Sequence, residues 1–209
     1  PVTIKHRLGV DNMDSYDELE NFVGSVSNAG CEVFIIHARK AWLSGLSPRE
    51  NREIPPLNYP WIYRLKKEFP SLTIVLNGGI TSMSEINTHL DHLDGVMLGR
   101  KAYEDPWFLA KVDSLVFKKT SSTKTRIEIV EKMIPYIKEE ISNGEKLNHI
   151  TRHLVGLYKG QPGGRKFRRH LADYAHSKDA DYKTLIEASM LTQKTLSNSP
   201  RHMRNPNTC

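Results

Sequence analysis

Cysteine is scarce in this sequence, with two residues among 209, Cys31 and Cys209. Two thiols cannot form a disulfide framework or supply the four ligands of a structural zinc site, so we expect a reducing compartment and no metal site. Long apolar runs are also absent, and no stretch of about 18 apolar residues is available for a membrane-spanning helix. The opening residues PVTIKHR lack the apolar segment of a signal peptide. These absences predict a cytoplasmic protein, or an organellar one if the source is a eukaryote, that does not enter a membrane.

Acidic residues are in short supply only in the C-terminal part of the chain. Residues 121–209 contain 16 Lys and Arg against 9 Asp and Glu, a net charge of +7, whereas residues 1–120 contain 14 against 15, a net charge of −1. This asymmetry is typical of a protein that binds an anionic partner through one domain. Charge alone leaves two hypotheses equally open: a domain that binds nucleic acid or a membrane surface, and a basic domain that is merely soluble.

Four short runs rich in Val, Ile and Leu predict β-strands, and helical patterns lie between them. The runs show little polar alternation, which is typical of strands buried on both faces of a parallel sheet. Leu19, Phe22, Val23 and Val26 recur at helical spacing on one face, and either Asp14 or Ser15 is a candidate N-cap. The alternation of strands and helices predicts an α/β fold. The predicted strands are residues 2–7, 33–39, 72–77 and 95–99, and the predicted helices are residues 16–29, 61–69 and 83–90.

The pattern changes after residue 117. Residues 118–125 are polar and predict a linker, and helical spacing of apolar residues follows, with Pro135 as an expected kink. This part is predicted to form a small all-α helical bundle. The apolar periods cover residues 127–141, 147–157, 167–174 and 182–186. The predicted domains are residues 1–117 and 118–196, followed by a disordered tail at residues 197–209, which is polar and contains two prolines.

Polar and glycine residues end every predicted strand. In parallel α/β folds, ligands bind at the carboxyl ends of the strands. The period of two places Lys5, His37 and Asn77 on corresponding faces, so we expect these side chains to meet at one end of a barrel. Taken singly, each has an ordinary structural explanation, such as a hydrogen-bonded histidine or a solvated lysine. Four coincident strand ends favour a ligand site over these separate explanations.

The glycines after the third and fourth strands predict a phosphate site. Gly78-Gly79 and Gly99-Arg100 present backbone N–H groups with no Cβ beside them, and the Arg100 guanidinium adds a charge-assisted contact. In (β/α)8 barrels, the loops after strands seven and eight commonly form a phosphate site. If these are strands seven and eight, the first run is strand five. We therefore expect the C-terminal half of a (β/α)8 TIM barrel, with strands one to four in a preceding part of a longer chain.

Five stretches of the sequence closely resemble the tRNA-dihydrouridine synthases, in particular the bacterial-type branch that acts on uridines 20 and 20a of the D-loop. The combination of HARKAW with NREIPPL is specific, and chance is a poor explanation for it. The resemblance spans most of residues 1–190. The matching stretches are VTIKHRLGVD (2–11), FIIHARKAWLSGLSPRENREIPPL (34–57), LNGGI (76–80), DGVMLGRKAYEDPW (94–107) and HITRHLVGLYKGQPGGRKFRRHL (149–171).

The resemblance implies a flavin enzyme in which FMN receives hydride from NADPH and passes it to uracil C6 in tRNA, while a cysteine protonates C5. Lys5 would face the N1/O2 edge of the flavin, and its charge would stabilise the anionic reduced form. The implied cofactor-binding residues are Lys5, His37, Asn77, Gly79, Gly99 and Arg100. The implied substrate-binding residues are Arg52, which would reach towards the target uracil, and Arg39. The implied tRNA phosphate contacts of the helical domain are Arg152, Arg165, Lys166, Arg168 and Arg169. No obligate protein partner is inferred.

The resemblance also implies a catalytic cysteine in the N-terminal half of the barrel, so we expect no catalytic residue within these 209 residues and no activity from them alone. Cys31 precedes the second strand, at the end of a barrel that serves stability, and is expected to be a buried structural residue. Two alternatives stay open. One is another FMN- or phosphate-binding TIM-barrel oxidoreductase with basic, soluble helices, and the other is a non-catalytic RNA-binding derivative.

Overall fold

The computed structural model describes residues 2–120 and 125–197, and it divides the chain into two compact units. Among the described residues, the first unit contains 2–101 and 112–119, and the second contains 102–111, 120 and 125–197. The predicted boundary at residue 117 stays a prediction. Of the predicted tail, Ser197 is the last residue of a helix, and the residues after it lie outside the described part of the chain. No helix within the described residues is long and apolar enough to cross a membrane.

The first unit is built on a sheet of four parallel strands in the order β1-β2-β3-β4. The α/β fold with a parallel sheet is therefore confirmed. The strands are β1 (Thr3–Arg7), β2 (Val33–His37), β3 (Thr73–Asn77) and β4 (Gly95–Met97). Register aligns Arg7 with His37, His37 with Asn77, and Asn77 with Met97. We call the end of the sheet marked by these four residues the carboxyl edge.

Three helices follow the first three strands, and each begins where a side chain caps the backbone. They are α1 (Tyr16–Asn28), α2 (Tyr59–Glu68) and α3 (Met83–Leu90). Ser15 and Glu18 form a capping box on α1, and Ser82 and Glu85 form one on α3. Asn58 caps α2 by accepting a hydrogen bond from the Trp61 backbone. The short helices α4 (Arg100–Glu104) and α5 (Val112–Leu115) follow β4.

Burial alternates along the strands, so the two faces of the sheet differ. Phe34, Ile36 and Ile74 have no solvent-exposed surface, and helix residues such as Val23 and Leu65 are equally buried. The opposite face contains Lys5, Ile35, Val75, His37 and Asn77, all partly or fully exposed. We call it the open face. The expectation that both faces of the strands are buried is wrong for the described residues. The apolar faces of the helices pack against only one side of the sheet.

The second unit is helical in its described part. Its main helices are α6 (Arg126–Ser142), α7 (Leu147–Thr151), α8 (Gly164–Tyr174) and α9 (Tyr182–Ser197), and a 3-10 helix covers Pro106–Lys111. Helix α6 continues through Pro135, which lies at an exposed position, and the kink expected there stays a prediction. Helices α6 to α9 and the turns between α7 and α8 contribute to one core of buried residues, which are Val130, Ile137, Leu147, Ile150, Leu157, Tyr158, Phe167, Leu171, Ala175, Leu185 and Ala188.

The helix predicted for residues 147–157 ends earlier, at Thr151. Backbone bonds of His153 to Ile150, and of Leu157 to Leu154, span three residues and form a series of turns instead of an α-helix. Tertiary packing accounts for the difference. A Cβ on Gly156 would collide with the backbone carbonyl of Glu104, so this segment follows its neighbour in the second unit closely.

Candidate functional site

The carboxyl edge brings together residues from the ends of three strands. Arg7, His37 and Asn77 lie on adjacent strands at one level of the register. Lys5 pairs with Ile35, two residues before His37 along the neighbouring strand, on the same open face. Strand neighbours are about 4.8 Å apart. Lys5, His37 and Asn77 therefore share one face, as the period of two predicts, with Lys5 set further into the sheet and Arg7 beside His37.

His37 lies among positive charges at this edge. Burial and the nearby cations lower the pKa of the imidazole to about 4, so the ring is neutral near pH 7. The cations are Arg7, Lys5, Arg39 and Arg100, in decreasing order of effect. The Nδ1 atom of His37 and one terminal nitrogen of Arg39 are buried without a hydrogen-bond partner in the described part of the chain. A buried polar atom without a partner is costly, so both atoms suit a polar ligand.

Arginines of the edge also hold the loop that follows β2. Arg7 donates hydrogen bonds to the carbonyls of Lys40 (2.9 Å) and Asn51 (2.8 Å). Arg39 donates through Nε to the Pro55 carbonyl at 2.6 Å. These contacts fix residues 40–55 against the sheet by backbone carbonyls. The guanidinium of Arg39, predicted to bind substrate, is therefore partly engaged within the protein.

Arg100 has a second set of partners in the same loop. Its guanidinium donates to the Glu53 carboxylate at 2.7 Å and to the Arg52 carbonyl at 3.2 Å. Arg52 itself lies in a 3-10 turn (Glu50–Arg52), and its side chain is exposed. The two predicted ligand residues are thus physically linked, because Arg100 binds the backbone of Arg52.

Residues 77–79, which we call the glycine turn, leave β3 in a conformation that needs glycine. Gly78 and Gly79 have φ angles of 109° and 78°. A Cβ on Gly79 would lie 2.5 Å from the Tyr59 hydroxyl oxygen and 2.6 Å from a Leu57 methyl carbon. The Asn77 amide donates to the Met97 carbonyl at 2.8 Å, which ties the turn to β4. Gly99 differs, since a Cβ there would meet open space.

Sequence reasoning missed the residues that shape the loops around the site. Asp11 accepts a hydrogen bond from the Leu43 backbone at 2.8 Å. The Asn51 side chain accepts one from Trp42 N at 2.8 Å and donates one to Trp42 O at 2.6 Å. Arg7 could have been predicted, because it lies two residues after Lys5 in the same strand and so shares its face. No local sequence pattern indicates the others, since their partners lie 9 to 32 residues away.

Helix α8 carries the predicted basic residues of the second unit. Arg165, Lys166, Arg168 and Arg169 are all exposed, and none has an ion-pair or hydrogen-bond partner among the described residues. Phe167 faces the core instead. Arg165 and Lys166 lie in the first turn of α8, which contains no acidic residue, and cations are unfavourable at this positive end of the helix dipole.

Arg152 lies apart from α8 in sequence, after the end of α7. It is exposed, and its Nε atom lies 3.0 Å from His153 Nε2. Tyr103 hydrogen-bonds to the other nitrogen of the same imidazole at 2.9 Å. No cluster of three or more metal-ligating side chains occurs in the stretches that the structure describes.

Cys31 lies at the opposite end of the sheet from the carboxyl edge. It precedes β2, its side chain is buried, and its sulfur contacts the carbonyls of Val2 and Val33 at 3.7 and 3.6 Å. Cys209 lies outside the described residues.

The sheet and its edge define the first unit as an α/β structure with an open, cationic carboxyl edge. The chain belongs to the dihydrouridine synthase (Dus) family, whose family model matches residues 1–195. The resemblance stated above is therefore confirmed.

Relatives named tRNA-dihydrouridine(20/20a) synthase are about half identical to this chain. The Vibrio vulnificus protein is 54% identical over 189 residues, which cover 90% of this chain and 58% of the relative. The Escherichia coli K12 protein is 53% identical over 192 residues, which cover 91% of this chain and 56% of the relative. The Shewanella oneidensis protein is 50% identical over 196 residues, which cover 94% of this chain and 58% of the relative. The chain thus spans less than two thirds of the length of these relatives. A solved mandelate oxidase structure matches with a TM-score of 0.31 at 11% identity over 87% of this chain and 54% of that one, which supports no argument.

Proposed function

We propose that this chain is part of a flavin-dependent enzyme that reduces uridine to 5,6-dihydrouridine at positions 20 and 20a of tRNA. The observation that carries the proposal is the identity of 50–54% to relatives of that name, over 90% or more of the chain. The activity of the whole protein is inferred from that similarity. The geometry of the carboxyl edge supports it.

The four strands are proposed to be strands five to eight of a (β/α)8 barrel. Two features of the first unit support this arrangement. Within the described residues, β1 and β4 each have one neighbouring strand, so both edges of the sheet are unpaired. The open face contains Ile35 and Val75 beside Lys5 and His37, a mixture suited to a barrel interior with a ligand at its mouth. The helical second unit is proposed to be an all-α tRNA-binding domain.

The residues of the carboxyl edge fit FMN, an anionic, polar cofactor. The partnerless Nδ1 of His37 and terminal nitrogen of Arg39 are free to bond a ligand, and the excess of cations suits a phosphate. The glycine turn and Gly99 offer backbone N–H groups. FMN supplies hydride transfer when bound, with NADPH as the proposed hydride source. The residues proposed to hold it are Lys5, His37, Asn77, Gly79, Gly99 and Arg100.

The protein side chains are proposed to hold, orient and balance charge. Lys5 places a cation on the open face below His37, where negative charge on a bound ring is stabilised. Neutral His37 can donate or accept a hydrogen bond without adding to the local positive charge. Arg52 is proposed to contact the target uridine, and Arg39 is proposed to bind the substrate. We propose no proton donor among the described residues, since Cys31 lies at the far end of the sheet.

The tRNA is proposed to bind the basic surface of α8 and the nearby sequence. The four cations of α8 are exposed and unpaired among the described residues, and the two in its first turn, Arg165 and Lys166, are unfavourable beside the helix dipole. Folding therefore does not explain them, whereas binding to phosphates does. The proposed contacts are Arg152, Arg165, Lys166, Arg168 and Arg169.

Purification and gene deletion test the proposal together. The complete natural protein should carry the visible absorption of a bound flavin, and deletion of its gene should remove dihydrouridine from positions 20 and 20a of tRNA. A colourless protein that binds no FMN would favour an RNA-binding derivative without catalysis. A flavoprotein whose deletion leaves tRNA dihydrouridine intact would instead favour another barrel oxidoreductase.

A further inference from the structure

One tyrosine outside the predicted site bonds directly to the glycine turn. The Tyr59 hydroxyl donates to the Gly78 carbonyl at 3.0 Å. The peptide that follows Gly78 is trans, so its N–H, which belongs to Gly79, points away from that carbonyl. This N–H has no acceptor in the part of the chain that the structure describes. The bond to Tyr59 therefore decides which way an unpaired backbone donor faces.

We propose that Tyr59 is a positioning residue for the glycine turn, and that its hydroxyl holds the Gly79 N–H in the direction needed to bind a phosphate group. The inference rests on the proposed function, because it takes the cofactor phosphate as the ligand of this turn. Tyr59 itself does not touch the ligand, and it acts through the peptide that it fixes.

The turn is confined from two sides. A Cβ on Gly79 would meet the Tyr59 hydroxyl at 2.5 Å, and a Cβ on Gly78 would meet Nε2 of His37 at 3.1 Å. Both glycines adopt positive φ angles, and because they have no Cβ their backbone can take many other conformations when nothing holds it. The hydroxyl of Tyr59 is the side-chain donor that bonds this peptide among the described residues. Without it, the peptide can rotate and lose the orientation of its N–H.

Tyr59 is itself held firmly. It begins α2, and the preceding Asn58 anchors that helix by donating its backbone N–H to the Ala38 carbonyl at 2.8 Å. The Tyr59 ring packs edge-on against His89, with ring centroids 4.5 Å apart. Burial raises the pKa of the Tyr59 hydroxyl, with Glu85 adding to the effect, so the group stays a donor well above neutral pH.

Tyr63, one helical turn further along α2, provides a matched control. Its hydroxyl is also partly buried and hydrogen-bonds to His89 Nδ1 at 2.6 Å, but it does not bond to the glycine turn. Tyr59→Phe and Tyr63→Phe each remove one such hydroxyl. We therefore expect similar melting temperatures for the two variants of the complete protein.

The affinities of FMN and riboflavin, measured by quenching of flavin fluorescence, separate positioning from general damage. Riboflavin lacks the phosphate, so Tyr59→Phe should weaken FMN binding by about 3- to 10-fold and leave riboflavin binding at the wild-type value. Tyr63→Phe should change neither. Because the ratio of the two affinities is taken within one variant, it does not depend on the fraction of folded protein.

Two results would overturn the inference while leaving the proposed function in place. One is an FMN affinity of Tyr59→Phe equal to that of wild type, and the other is an equal loss of FMN and riboflavin affinity. A wild-type protein that binds no FMN would overturn the proposed cofactor, and the inference with it.

Discussion

Replacing His37 with glutamine should reduce the loss of stability that acid causes. The folded-state pKa of His37 is about 4, compared with 6.5 for an unperturbed histidine. Between these values the unfolded chain binds a proton that the folded chain excludes, so the free energy of unfolding falls as the pH drops from about 7 to about 4. Below that range both states are protonated and the loss is complete.

The size of the effect follows from the two pKa values. If the whole pKa difference of His37 acts, the free energy of unfolding falls by about 2 kcal/mol between pH 7 and pH 5. His37 is only partly buried, and solvent screening reduces the expected difference to about 1 kcal/mol. The pKa values of His6 and His89 are also lowered by burial. Those residues are unchanged in the variant, so their contribution cancels in the comparison.

Urea unfolding of the complete protein without cofactor, at pH 7 and pH 5, measures the difference. His37→Gln should lose about 1 kcal/mol less than wild type between the two pH values. His176→Gln, which replaces an exposed histidine, is the control and should lose as much as wild type. Equal losses in wild type and His37→Gln would refute the account of a neutral imidazole held among cations.

Four further variants and one fragment test other parts of the structure. Lys5→Met should keep the fold but slow the reduction of flavin by NADPH, because the transition state loses about 2–4 kcal/mol of stabilisation. An unchanged reduction rate would rule out the proposed role. Arg168→Ala combined with Arg169→Ala should weaken tRNA binding and reduce the slope of log affinity against log salt concentration by about one to two units. If affinity and slope stay at their wild-type values, α8 is only a solvated surface. Gly79→Ala should lower the free energy of unfolding by about 2–4 kcal/mol, because it adds a steric clash at a positive φ angle, whereas Gly99→Ala should lower it by less than about 1 kcal/mol. Equal losses in the two variants would contradict the described packing. The 209 residues expressed alone should self-associate through unpaired sheet edges, and a monodisperse monomer in size-exclusion chromatography would contradict that expectation.

Local patterns were sufficient to predict the sheet. The predicted strand at residues 33–39 and the observed β2 (Val33–His37) share their start, because apolar β-branched residues mark it, and the observed strand ends two residues earlier. Its pairing stops where Arg39 turns to the Pro55 carbonyl. That partner lies 16 residues away in an irregular loop, beyond the reach of any periodic pattern.

The site could be predicted in its composition but not in its internal bonds. Strand parity correctly grouped Lys5, His37 and Asn77 on one face, because it depends only on the alternation of side chains. The bonds of Arg100 to the loop after β2 depend on how that loop folds back over 47 residues of sequence. The same limit applies to Tyr59, whose bond to the glycine turn joins a helix start to a strand end.

The way in which the loop after β2 is held has a consequence for the kinetics of ligand capture. Arg7 and Arg39 bond to backbone carbonyls, which hold the loop without cancelling the charge of the two guanidinium groups. Carboxylates in the same places would have fixed the loop equally well but neutralised the edge. The charge therefore remains as a long-range field that attracts anions before contact is made. Capture of an anionic ligand should accordingly be fast at low ionic strength and slow steadily as salt shortens the range of that field.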